Sequence, residues 1–296
     1  MKVKSMKIDD LKQRLRKQIS KMGYPLEIEV QSILEERNWA VFPNKFFMDC
    51  QENKPREIDL FAFHGPTVSS RHTEPIAFAP HLIIECKKSL DYSLVLFSRN
   101  ITAFTFYDFS GHMFDFPILL KEITEFRNPL KEFNLQYFLI HQDLHYKRSR
   151  KVSTNYPLVK PEGKEKRDLY DAVMKLVKAQ AFEVEEALRR SPTITHTHHP
   201  LFFSFLAVVF EGQMFEALVD KGDVVLNELD HGLISVSFQP DYSDTPLHYV
   251  IDVVKKEHFK DFLVEIENDI STWVHQIKSQ MKNIEPYLKR GKVENS

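Results

Sequence analysis

Glycine is scarce in this chain, eight residues in 296, and no glycine-rich phosphate-binding loop occurs. A nucleotide-driven motor or kinase needs such a loop to bring backbone N–H groups against phosphate, so ATP-driven chemistry is not expected. Cysteine is scarcer still. Cys50 and Cys86 alone make neither a disulfide framework nor a zinc-binding set. No apolar run approaches the roughly 20 residues of a membrane-crossing helix. The stretch from Met1 to Met22 lacks the apolar centre of a signal peptide, and the cytoplasm is the expected compartment, with no membrane partner. Net charge is only −2, which gives no overall preference for a polyanion. The chain is 43% hydrophobic and 28% charged, the balance of an ordinary globule.

What is present is unevenly placed. Met1 to Met22 carries eight Lys and Arg against Asp9 and Asp10. Ile8, Leu11, Leu15, Ile19 and Met22 recur at helical spacing, which predicts a basic amphipathic helix over about 8–22. A second helix is expected from Leu26 to Asn38, followed by a strand over 39–43. Two further strands, Arg56–His64 and His81–Lys88, flank a loop rich in Ser, Thr, Pro and Gly.

Residues 90–165 are irregular and aromatic-rich, and are expected to form an insertion that packs over the core. Asp168–Arg190 is the clearest long helix, with Leu169, Ala172, Val173, Leu176 and Val177 on one face. Leu201–Phe210 is an unbroken apolar run suited to a strand buried on both faces. Short strands are expected near 214–219, 233–238 and 249–254, with a hairpin turn at Asp230-His231-Gly232, and a closing helix over about 257–282. One elaborated domain over 1–296 is expected, with its core over about 22–89 and 166–285. His196, His198 and His199 lack ligand spacing and read as an exposed loop.

The two strands at 56–64 and 81–88 carry the chemistry. Alternation puts Glu57, Asp59 and Phe61 on one face of the first, and Glu85 and Lys87 together on the second. Apolar neighbours surround these charges, and a charge in such a setting must be paired or bind a metal. Antiparallel pairing would set Asp59 beside Glu85, with Lys87 one pleat away. Two carboxylates suit Mg²⁺, a hard cation that prefers oxygen, and Mn²⁺ as its substitute. Such an ion assists phosphodiester hydrolysis by neutralising developing charge and acidifying water.

Gly23-Tyr24-Pro25-Leu26-Glu27, Arg56-Glu57-Ile58-Asp59 and Ile84-Glu85-Cys86-Lys87-Lys88 together resemble the PD-(D/E)XK (restriction-endonuclease-like) nucleases. The stretch from Glu27 to Phe42 is also similar to the opening of archaeal Holliday-junction resolvases. Ile58 replaces the proline of the family pattern. The resemblance covers mainly Gly23–Ser89 and implies an α/β fold: a helix, three antiparallel strands, a crossover helix and a fourth strand parallel to the third. Here that core would carry a large insertion, and C-terminal β-hairpins plus a helix.

The resemblance also implies catalytic roles for Asp59, Glu85, Lys87 and Glu27. Asp59, Glu85, Glu27 and the backbone carbonyl of Cys86 would be metal ligands, with Glu29 a rival for Glu27. Lys88, Lys147, Arg148, Arg150, Lys151, Lys175 and Gln180 are candidate nucleic-acid contacts, and Lys178 on the same helix as Lys175 could also reach phosphate. The expectation is therefore a Mg²⁺-dependent nuclease acting on DNA, in defence or repair, as a homodimer or alongside partner proteins. A catalytically silent nucleic-acid-binding or scaffold module of the same fold, and an RNA-directed nuclease, are the alternatives.

Overall fold

The computed structural model describes residues 8–65, 67–68, 76–100, 113–114, 151–190 and 199–290. Within them the chain is mixed α/β. Helix α1 (Ile8–Ile19) buries none of its residues, so its apolar stripe is exposed. Helix α2 (Tyr24–Glu36) starts where Pro25 fits the first turn, a position whose N–H has no helical partner. Its Leu26, Val30, Ile33 and Leu34 return to one face and are buried.

The strands that follow are β1 (Ala40–Asp49), β2 (Lys54–Phe63), β3 (Thr67–Val68), β4 (Ile76–Lys88) and β5 (Ser93–Asn100). Then come β6 (Met113–Phe114), β7 (Lys151–Asn155), β8 (Leu158–Val159), β9 (Glu165–Lys166) and helix α3 (Asp168–Arg190). The chain continues through β10 (His199–Glu211), β11 (Met214–Asp220), β12 (Asp223–Glu228), β13 (His231–Phe238) and β14 (Leu247–Lys255). A short 3₁₀ turn, Lys256–His258, leads into helix α4 (Phe259–Arg290).

All these strands join one sheet, with main order β1-β2-β4-β10-β14-β13-β7-β5-β11-β12. The first three neighbours are antiparallel. β10 then lies parallel to β4 in unbroken register, from His199 opposite Ile76 to Glu211 opposite Lys88. Helix α3 supplies part of the connection between these two strands. Both sheet faces are covered, as a parallel pair requires. On one face, Leu26, Val30 and Leu34 of α2 and Phe259, Leu263, Ile266 and Trp273 of α4 pack with Leu60, Ile84, Phe205 and Val254. On the other, Leu169, Val173, Leu176 and Val177 of α3 pack with Phe61, Ile83, Val208 and Phe210. Neighbouring positions Ile83 and Ile84 thus face opposite layers. The same alternation sends Glu85 toward α3.

Several sequence expectations change. The strand expected at 39–43 continues to Asp49, because β1 is an edge strand and Pro43, which lacks an N–H, interrupts no essential ladder there. Residues 93–100 and 151–155 do not pack over the sheet but enter it: β5 pairs with β11 and β7, and β7 with β13. Most of the aromatic stretch lies outside the described residues. Asp230-His231-Gly232 is not a hairpin turn, since β12 pairs with β11 and β13 with β14. The tight hairpin comes earlier in the chain, at Lys221-Gly222, where both residues have positive φ. Of the three clustered histidines, His199 opens β10, while His196 and His198 lie outside the described residues. No helix among the described residues is long and apolar enough to cross a membrane.

Candidate metal centre

Backbone pairing between β2 and β4 runs from Phe63–His81 to Leu60–Ile84. At the next position, side chains take over from the ladder. The Asp59 N–H donates to Glu85 Oε1 at 3.3 Å, and the Cys86 N–H donates to Asp59 Oδ2 at 2.7 Å. Each carboxylate thus accepts a backbone N–H from the opposite strand. This brings two acids together at the inner margin of the sheet.

Two lysines answer them. Lys175 of α3 places Nζ 2.6 Å from Glu85 Oε1 and 3.6 Å from Asp59 Oδ1. Lys87 Nζ lies 3.4 Å from Glu85 Oε2. Asp59 is largely covered and Glu85 is wholly buried. Burial is the main force raising the Glu85 carboxyl from 4.5 to about 7; the Asp59 charge adds to it, and Lys175 and Lys87 oppose it. The Cys86 thiol, behind the cradle, is also pushed up by burial and is inert as a nucleophile at neutral pH.

Glu27 stands in the first turn of α2. Its carboxyl is raised by burial, then by Asp59 and Glu57, while Lys175 and Lys87 pull it down. It therefore feels the cradle electrostatically. Among the described residues, however, no three His, Cys, Asp or Glu side chains gather into a ready-made metal cage. Asp59 and Glu85 come together, and Glu27 is not brought into a three-acid cluster with them. Glu29 pairs with Lys256 at 2.8 Å, so its charge is engaged next to α4 rather than at the cradle.

The residues present fit a hard divalent cation in one respect that can be checked by geometry. Glu85 Oε2 is buried and accepts no hydrogen bond, and Lys87 Nζ lies 3.4 Å from it. A buried carboxylate oxygen without a donor is costly unless a cation meets it. The donor set at the cradle is all carboxylate oxygen, which suits Mg²⁺ or Mn²⁺.

The other candidates scatter. Lys88 alternates away from Lys87 and bonds Glu211 at 2.6 Å. Lys151 sits on β7, where Glu216 of β11 holds it at 2.5 Å. Gln180 is buried within α3, so it presents no surface to a phosphate backbone. Lys147, Arg148 and Arg150 lie outside the described residues.

Sequence reasoning placed Lys175 against phosphate; the structure places it on the two acids. Lys178, placed against phosphate in the same way, instead joins a second charged cluster one helical turn on. There Lys178 bonds the buried Asp49 at 2.8 Å and approaches Glu52 at 3.5 Å, and Arg56 lies 3.5 Å from Asp49. The signal was present as two lysines three residues apart beside the apolar stripe of α3. Scans against protein-family models, curated proteins and solved structures each returned no match.

Proposed function

We propose that the chain is a Mg²⁺-dependent nuclease with a restriction-endonuclease-like core, acting on DNA. The observation that carries this reading is the Asp59–Glu85 pair: two acids on neighbouring strands, one wholly buried, sharing a cradle with Lys87 and Lys175. The order of elements supports it as well. A helix (α2), three antiparallel strands (β1, β2, β4), a helix (α3) and a strand parallel to the third (β10) follow the sequence expected of that core.

In this reading Asp59 and Glu85 would hold the cation, whose chemistry would be charge neutralisation and acidification of water. Lys87, with its ammonium partly open to solvent beside Glu85, donates to a phosphate oxygen or orients the attacking water. Glu27 adds negative charge at the margin and anchors water. The dry apolar layers behind Glu85 keep these charges strongly coupled.

The test is a cleavage assay with Mg²⁺ or Mn²⁺ on plasmid, linear and single-stranded DNA and on RNA, run beside Asp59→Ala and Lys87→Ala. Each variant is expected to lose at least about a hundredfold in rate, equivalent to roughly 3 kcal/mol of barrier. Wild type and both variants behaving alike on every substrate would remove the enzyme reading. Cleavage confined to RNA would move the substrate class while keeping the chemistry.

A further inference from the structure

We propose that Lys175 is a built-in counter-ion: its ammonium occupies the cation position between Asp59 and Glu85 and is displaced when a divalent metal binds. This rests on the reading of the two acids as cation ligands and adds a regulatory step to it.

Asp59 Oδ2 accepts the Cys86 N–H at 2.7 Å, and its Oδ1 faces Lys175 at 3.6 Å. Glu85 Oε1 accepts the Asp59 N–H at 3.3 Å and faces Lys175 at 2.6 Å, while Oε2 accepts no hydrogen bond. The ammonium of Lys175 therefore touches both acids that a shared cation would need. Lys87 does not fill this role, because its ion pair is with Glu85, at Oε2, whereas Lys175 pairs with both acids.

Charge balance gives the occupancy a reason. Glu85 is wholly buried, and an ionised carboxylate in that setting requires a positive partner. Lys175 serves as one while the metal is absent. An ammonium and a divalent ion cannot both sit against the same two carboxylates, since their repulsion at contact distance is large in a poorly solvated site. The lysine must leave, and it is able to: its side chain is about a quarter exposed and its four-carbon stem is flexible. Competition from the lysine scales the apparent metal affinity down to the fraction of time the cradle stands empty.

Lys178 provides an internal control. It stands on the same helix and also bonds a buried carboxylate, but that carboxylate is Asp49, outside the cradle.

The experiment titrates Mn²⁺ into the full-length, EDTA-stripped protein by calorimetry, comparing wild type with Lys175→Met, Lys175→Gln, Lys178→Gln and Asp59→Asn. Lys175→Met is expected to bind Mn²⁺ about ten- to a hundredfold tighter than wild type. Lys175→Gln, which keeps a hydrogen-bond donor near Glu85 and guards against loss of folding, is expected to fall between the two. Lys178→Gln should match wild type, and Asp59→Asn should lose the site.

Circular dichroism melts without metal verify folding, and both Lys175 variants should melt lower than wild type while gaining from Mn²⁺. If wild type binds Mn²⁺ through Asp59 but neither Lys175 variant binds tighter, the counter-ion role is overturned and the metal site stands. If neither wild type nor the Lys175 variants bind Mn²⁺ in an Asp59-dependent way, both readings fall together.

Discussion

Replacing Glu85 with glutamine should make the protein's stability less sensitive to pH, and the size of the effect can be worked out. In the unfolded chain this carboxyl titrates at its ordinary value of 4.5; in the folded chain burial and Asp59 hold it at about 7. Below pH 4.5 both states carry the proton. Between 4.5 and about 7 the folded state binds more protons than the unfolded one, so stability falls as pH rises through this window. At about 1.4 kcal/mol per pH unit, the loss from this one group reaches about 3 kcal/mol by pH 8.

The substituted amide keeps the side-chain volume and never ionises. The wild type and Glu85→Gln should therefore be similarly stable near pH 4.5 and diverge by about 3 kcal/mol near pH 8, with the variant the more stable. Urea denaturation in EDTA at pH 4.5, 5.5, 6.5, 7.5 and 8 would measure the difference, and taking it cancels titration shared by both proteins. Saturating Mg²⁺ should restore much of the wild-type loss, because a bound cation favours the ionised carboxylate. Parallel stability curves, or a variant that is weaker at pH 8 than at pH 5 relative to wild type, would refute this account of the buried acid.

Burial also separates two leucines that look alike in sequence. Leu34→Ala removes a fully buried side chain beneath the sheet and should cost about 2–5 kcal/mol, while Leu15→Ala on exposed α1 should change stability by under about 0.5 kcal/mol in chemical denaturation. Gly212→Ala should destabilise through a backbone clash, because the added Cβ would lie 2.4 Å from the Ser89 carbonyl oxygen; a thermal melt unchanged from wild type would contradict that contact.

The elements whose signal is local were legible. The apolar face of α3, the continuous run of β10 and the alternation around Asp59 and Glu85 each reflect burial by their own immediate layer. The antiparallel neighbourhood of the two acids followed from that alternation, and the structure carries it through Leu60–Ile84 to the hydrogen bonds at Asp59 and Cys86. What escaped depends on distant partners. β5 reads as a stretch of mixed residues until β11 and β7 bracket it. β12 is exposed along its whole length, so no burial pattern marks it; only the positive φ at Lys221 and Gly222 explains why the chain reverses there. Lys175 was visible as a cation on a helix. Its target was not, because docking α3 over β4 is a tertiary event that the helix's own periodicity does not encode.

The parallel junction of β4 with β10 sets an order of events during synthesis. β4 emerges early, attached to β1 and β2, but its other partner comes only after everything from Ser89 to His198 has been made. Until then one border of the nascent sheet offers unpaired N–H and C=O groups along apolar residues such as Ile83 and Ile84, a template for pairing with another chain. β5 waits longer still, for β11. Pairings this remote along the chain slow folding. Both acids have been made once β4 is complete, while their covering helix and its lysine arrive with the late half of the polypeptide. A nascent or truncated chain ending before α3 would carry Asp59 and Glu85 without Lys175, so completion of the fold is also what gives the two acids their helical cation.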